Sequence, residues 1–408
     1  MSKKNSENYE PINEYDVTLD AVKSVMEKYS KFKNDVNQKT IFLGFDGYID
    51  SLYSLVRKRD SAEKWVKMES MKEFATRIND AAGSSCNVER VLKKNIAGGC
   101  APNTGRSTSH LGANTIICGA LGYPEINPLF LDYPDNVSHY SITNPGTTAA
   151  YEFNDGKVMT TDFGNINGIT WDLIMERIPR DQFIELIEES NAIAQGHWAL
   201  VPNMNNFWEH LCEDIFPNLS NSKEKVFLVD AADMKKRKNK PINEMLKILQ
   251  KVDEWMPAAL AMNDKETADI AKVLSAEDSM FEKKNIRPIK SREDYYDFNK
   301  RLNEVLGLSY IITHDPHFAT ITTKNNHYWV TEGYTSKPKF TTAAGDHFTG
   351  GILMGLVCGL DPAESLVIGN AETAIFVRTG VSVSPKELER FINEYMSYIL
   401  TDRTDFQL

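Results

Sequence analysis

The chain has 408 residues, 41% hydrophobic and 25% charged, proportions of an ordinary globular protein that exclude collagen-like, disordered and disulfide-scaffold classes. Its length suits one large α/β domain with an insertion, or two domains. With 57 acidic against 46 basic side chains, a net charge of −11 and no long Lys/Arg run, nucleic acid is not expected as a partner. Five scattered cysteines (Cys86, Cys100, Cys118, Cys212 and Cys358) make no C-x-x-C pair, which points to a reducing compartment, the cytoplasm. The polar opening MSKKNSENYEPINEYD has no apolar signal core and no eighteen apolar residues run together, so neither export nor a membrane partner is expected.

Residues 1–37 read as a polar tail and one surface helix, with Val17, Leu19, Val22, Val25 and Met26 near helical spacing. Short apolar runs then alternate with amphipathic stretches: 40–45, 115–119, 192–200, 226–229, 258–262 and 309–313. Runs apolar on both faces predict buried parallel strands with helical crossovers, a three-layer α/β/α core. His197 and Trp198, at one strand end, are expected to face the core. Residues 120–167 break the rhythm, and TTAAYEFNDGKVMTTDF (147–163) predicts two strands around Asn154-Asp155-Gly156, a small β insertion.

Neither G-x-G-x-x-G nor G-x-x-x-x-G-K-[ST] occurs, and H-E-x-x-H and G-x-S-x-G are also absent. His314-Asp315-Pro316-His317 reads as a solvated turn between two strands rather than a zinc site.

Four segments carry chemistry. At the end of the first strand, Asp46 and Asp50 stand where α/β proteins bind ligands, and a carboxylate can accept from two sugar hydroxyls; one of them could instead serve an Asx turn. Gly98 and Gly99 let backbone amides approach a ligand, and Asn103 near the next helix start offers a donor and an acceptor; a plain turn is the alternative. Asn263 and Glu266 follow the strand 258–262 and suit water-mediated Mg²⁺ placement or, equally, a capping box. From Phe340 to Gly351 the chain reads FTTAAGDHFTGG, opening a buried helix at Asp346 whose Gly350, Gly351, Gly355 and Gly359 allow close packing. Ala343, Ala344 and Gly345 carry almost no side chain, so unpaired amides there could seat an anion beside the Asp346 carboxylate; Asp346 as a mere N-cap is the alternative.

In this order and spacing, over about residues 40–395, the four segments resemble the PfkB/ribokinase family of sugar and nucleoside kinases. Gly98-Gly99-Cys100-Ala101-Pro102-Asn103 with Leu111-Gly112 is similar to its G-G-x-x-x-N…L-G signature, and 340–351 to D-T-x-G-A-G-D-x-F-x-G-G. The resemblance implies a ribokinase-like core of mostly parallel sheet at 38–50, 97–119 and 168–400. A β-sheet lid would come from part of 51–96 and from 120–167, with a C-terminal tail at 401–408. It implies ATP and Mg²⁺ as cofactors and a sugar or sugar-like acceptor phosphorylated on a hydroxymethyl group. Asp346 would be the base and the Ala344, Gly345 and Asp346 amides the anion hole, with Ala343 beside them. Asp50, Asp46, Gly98, Gly99 and Asn103 would hold the acceptor, Thr313 and Asp315 would lie along the nucleotide, and Asn263 and Glu266 would place Mg²⁺ through water. Ala343 stands where the family's first glycine is usual, which suits a negative φ; Phe340 replaces the opening Asp, so potassium is not expected. Homodimers would pair through exposed lid edges. A nucleoside kinase, or a non-catalytic sugar-binding protein on the same scaffold, is the alternative reading, and acceptor identity rests on side chains such as Tyr48, Tyr151 and Trp198.

Overall fold

The computed structural model describes residues 14–276, 279–281, 289 and 292–408; residues 1–13 of the expected tail lie outside them. Fourteen strands among these residues form two sheets, in chain order β1 (Thr40–Gly44), β2 (Tyr48–Arg59), β3 (Trp65–Lys67), β4 (Arg90–Gly98), β5 (Asn114–Gly119), β6 (Val137–Ser141), β7 (Gly146–Phe153), β8 (Gly156–Asp162), β9 (Ala192–Gln195), β10 (Val226–Asp230), β11 (Ala258–Asn263), β12 (Tyr310–Asp315), β13 (Phe318–Thr322) and β14 (His327–Thr331).

The large sheet runs β14-β13-β12-β11-β10-β9-β1-β5-β6. From β12 to β6 every pairing is parallel, and only β13 and β14 are antiparallel. The apolar runs are covered on both faces, and neighbouring residues go to opposite cores. Phe42, Phe227 and Val229 join one cluster with the helices Arg180–Glu189, Asn239–Trp255 and Asp264–Ser275. Ile41, Leu43 and Leu228 join the other with Glu14–Val36, Ala344–Val357 and Pro362–Thr379. This is the alternation that a doubly covered parallel sheet demands.

The small sheet is β3-β2-β7-β8, with β4 also paired to β2. The expected 120–167 insertion divides between the two sheets: β6 pairs with β5 and extends the large sheet, whereas β7 and β8 form the hairpin about Asn154-Asp155. Asp50 lies in the small sheet, on β2, opposite Ile96 and Thr148.

Glycines set how closely the helix Ala344–Val357 packs. A Cβ on Gly350 would stand 2.2 Å from Ser107 Oγ, one on Gly351 2.9 Å from Gly369 Cα, and one on Gly355 2.7 Å from Ser365 Cα. The helix is thereby wedged between Cys100–His110 and Pro362–Thr379. Its first turn is fixed against the strand ends that carry the polar groups. No helix among the described residues is long and apolar enough to cross a membrane.

Candidate active site

The chain leaves β1 for β5 and β6 on one side, then returns to build β9 through β12 on the other. The crevice at the carboxyl ends of β1 and β9 is therefore the switch point where such sheets bind ligands. Asp46 follows β1, Gln195 ends β9 with Gly196-His197 behind it, and Asp230 ends β10.

Asp346 reaches this crevice from the first turn of Ala344–Val357. Asn103 Nδ2 donates to its Oδ2 at 2.9 Å, and the Cys100 thiol also hydrogen-bonds to it. Burial, then the neighbouring Asp230 charge, push the Asp346 carboxyl up to about 7, while His197 pulls it down. Of the helix's first amides, Ala344 N–H donates to Thr341 O at 3.3 Å and His347 N–H to Ala343 O at 3.1 Å. The Gly345 and Asp346 amides have no acceptor among the described residues. The expected three-amide seat is thus a two-amide seat, because the turn at Thr341 uses the Ala344 donor. Ala343 departs from expectation as well. It takes φ +70 as the N-cap, a left-handed conformation that an alanine methyl disfavours.

The paired glycines serve one carboxylate each. A Cβ on Gly98 would lie 2.3 Å from Asp50 Oδ2, and one on Gly99, whose φ is +110, would lie 2.8 Å from Asp46 Oδ2. The two aspartates then part ways. Asp46 is fully buried, and its oxygens accept from the Cys100 amide at 2.8 Å and the Ala101 amide at 2.9 Å while pairing with His197 Nδ1. The Asp46 oxygens hold the start of the helix Cys100–His110, the turn role that the sequence leaves open for one of the two aspartates. Asp50 is only partly buried and bonds to Thr148; burial raises its carboxyl, partly offset by that bond and by His197 and Lys157.

His197 corrects a second expectation. Trp198 is buried in the core, but His197 sits in a left-handed turn (φ 55), pairs with Asp46 and stacks edge-on to Tyr48 at 5.6 Å. Burial pulls the imidazole down, yet Asp46, with Asp346 and Asp230 behind it, holds it up at about 9. Asp230, unremarked in the sequence, accepts from Ala232 N–H at 3.1 Å and Thr349 Oγ1 at 3.5 Å, and burial raises its carboxyl. A signal exists for Asp230, which directly follows the apolar run 226–229 as Asp46 follows 40–45, whereas His197 lies inside the run 192–200.

On the nucleotide side the structure divides the expected residues. Asn263 Oδ1 accepts from Glu266 N–H at 2.9 Å and Glu266 Oε2 from Asn263 N–H at 3.0 Å, a full capping box that takes up the Asn263 oxygen. Burial and Asp230 raise the Glu266 carboxyl to about 8. Thr313, expected along the nucleotide, is fully buried and its hydroxyl is shared with Thr267 at 3.0 Å and Asn299 Nδ2 at 3.0 Å. Asp315 closes the tight β12–β13 turn by accepting from His317 N–H at 2.9 Å. Pro316 and His317 of this turn are exposed, whereas His314 is half-buried, its pKa brought down to about 4 by desolvation, and stacks on Phe348 at 4.6 Å beside Gly345. Across the crevice, Lys157 of β8 bonds to Thr342 Oγ1, joining the small sheet to the loop before the two free amides.

Residues 14–395 match the model of the prokaryotic ketohexokinase family. The ketohexokinase of Haloferax volcanii is 30% identical over 360 residues, 88% of this chain and 92% of that protein. Among solved structures, the Arabidopsis thaliana ribokinase complexed with ribose and ATP aligns with a TM-score of 0.59 at 14% identity, over 87% of this chain and 98% of that one. The Methanocaldococcus jannaschii nucleoside kinase aligns with a TM-score of 0.53 at 12% identity, over 87% and 98%. The fold is that of the ribokinases, and fold alone does not separate sugar from nucleoside acceptors.

Proposed function

This chain belongs to the prokaryotic ketohexokinase family and is an ATP-dependent carbohydrate kinase; we propose that it transfers the γ-phosphoryl group to a hydroxymethyl group of a ketohexose, with Asp346 as general base. The observation that carries this reading is the meeting of the Asp346 carboxylate with the unpaired Gly345 and Asp346 amides at one helix start. The acceptor hydroxyl gives its proton to Asp346 as its oxygen bonds to the γ-phosphorus, and the bond from that phosphorus to the leaving ADP breaks. The two amides and the positive end of the helix hold the transferring group, at no reorganisation cost in transit. Asn103 fixes the carboxylate, while Asp50, Gly98 and Gly99 shape the acceptor side.

Glu266 is buried and Asp230 half-buried at the neighbouring strand end, and the Asp230 charge opposes ionisation of Glu266, a donor set that suits Mg²⁺ carrying its own waters. When bound there, Mg²⁺ would neutralise nucleotide phosphate charge. Asn263 would orient Glu266 rather than face the ion. The small sheet would act as the lid, with Lys157 closing on Thr342 to exclude water. Exposed Leu92 and Met159 on that sheet support pairing of two lids in a homodimer, and we place the protein in the cytoplasm.

A panel of ketohexoses, aldoses, ribose and nucleosides, assayed for ATP-dependent phosphate transfer, tests the acceptor. A kcat/KM highest for a ketohexose supports the proposal; preference for a nucleoside replaces it with the nucleoside-kinase reading. Sugar binding without any transfer replaces it with the non-catalytic one.

A further inference from the structure

The small sheet has one face covered and the other turned to the crevice. Phe74 of the helix Met71–Asp80 lies against Tyr151 and Phe153 of β7, with ring centres 6.1 and 5.8 Å apart. Side chains alternate along a strand, so Thr148 and Glu152 stand on the opposite face. Register carries that face across the sheet: Asp50 lies opposite Thr148, Thr148 opposite Thr161, and Glu152 opposite Lys157. Lys157, on β8 at the end of the sheet, therefore shares a face with the acceptor-side carboxylate Asp50.

A lysine directly across from a glutamate ordinarily pairs with it. Here Glu152 is taken by Lys93 at 2.7 Å, and the Lys157 ammonium crosses the crevice to donate to Thr342 Oγ1. Thr342 precedes Ala343, the N-cap of the helix whose Gly345 and Asp346 amides are unpaired. On its other side is Asp50, whose carboxyl is raised by burial and lowered by Thr148, His197 and Lys157. The ammonium thus stands between the acceptor carboxylate and the anion seat, and its partner is a neutral hydroxyl that leaves its charge uncancelled.

The crevice needs such a charge. A phosphoryl group in transit brings negative oxygens to a place already holding Asp50, Asp230 and Asp346. His197 is engaged by Asp46, and the two free amides offer only partial positive charge.

We propose that Lys157 is a further catalytic residue, its ammonium passing from the Thr342 hydroxyl to the oxygens of the phosphoryl group in transit. This rests on the kinase reading, with the seat at Gly345 and Asp346. As the acceptor oxygen bonds to phosphorus and the bond to ADP breaks, the acceptor proton goes to Asp346. Lys157 keeps its own protons and acts through charge and hydrogen bonds. Because it rides on the lid, the cation arrives only with closure, when water is shut out.

Lys157 is exposed, so its substitution leaves the core untouched. Lys157→Met is expected to lower the single-turnover transfer rate about 10²- to 10³-fold, with sugar affinity by calorimetry held within about threefold. Lys157→Arg keeps the charge and is expected to recover at least about tenfold of that loss. Thr342→Val removes the resting contact but keeps the ammonium, and its loss is expected to be at least about tenfold smaller than that of Lys157→Met. Equal losses in these two variants would make the pair a lid latch and overturn the catalytic role. So would transfer at the wild-type rate by Lys157→Met, or no recovery with arginine. The kinase reading fails separately: wild-type transfer by Asp346→Asn removes the base, whereas wild-type transfer by Lys157→Met removes only the cation.

Discussion

Asn103 and Asp346 lie 243 positions apart in the chain, yet Asn103 Nδ2 donates to Asp346 Oδ2 at 2.9 Å. The contact joins the two halves of the site, since Asn103 rides on the helix that begins after Gly98-Gly99 and Asp346 on the helix that carries the free amides. A hydrogen bond to a charged group is worth about 1.5–3 kcal/mol, and this one fixes the carboxylate rather than the fold.

Asn103→Leu, which keeps the volume and removes the donor, is therefore expected to lower kcat/KM about ten- to a hundredfold. Steady-state kinetics with a thermal melt checks this; unchanged kcat/KM in a folded variant would remove Asn103 from the site.

The glycine pair should separate acceptor binding from folding. Gly98→Ala drives a methyl into Asp50, so the sugar KM is expected to rise severalfold with the nucleotide KM held. Gly99→Ala meets Asp46 and a left-handed φ, and is expected to cost about 1–3 kcal/mol of stability. Sugar kinetics for the first and urea unfolding for the second are the checks, and a common phenotype would contradict the assignment of one aspartate to each glycine.

The pH profile follows from the surroundings of Asp346. A base must be unprotonated, so with its carboxyl raised to about 7, kcat/KM is expected to fall about tenfold per unit below that pH. Asp230→Asn removes a charge that raises it and should move the acid limb to lower pH; His197→Gln removes one that lowers it and should move the limb up. Limbs that shift in the same direction, or not at all, would refute this electrostatic description.

Ala343 holds φ +70 without a glycine. Ala343→Gly is expected to stabilise the protein by roughly 0.5–1 kcal/mol, measured by denaturant unfolding, because it relieves left-handed strain. Destabilisation would show the methyl to be held by packing that outweighs the strain.

Much of this was legible in the sequence. The apolar runs at 40–45, 115–119, 226–229 and 258–262 each become a strand with parallel neighbours, and a glycine-striped apolar helix after Asp346 has few ways to pack. What escaped was set by three-dimensional convergence. His197 follows β9 and Asp230 ends β10, and only sheet order brings these two strand ends beside Cys100 and Asp346. Asp46 and Thr313 show the opposite case. A strand-end polar residue can turn inward to satisfy backbone amides or neighbouring hydroxyls, and the sequence does not record which way it turns. The lid boundary escaped because β6 and β7 follow one another in similar polar sequence yet join different sheets.

The most direct measurement is single-turnover phosphate transfer by Asp346→Asn, alongside calorimetric titration of sugar and nucleotide. If Asp346 takes the hydroxyl proton, transfer falls about 10²- to 10⁴-fold while both ligands still bind; transfer at the wild-type rate would contradict it.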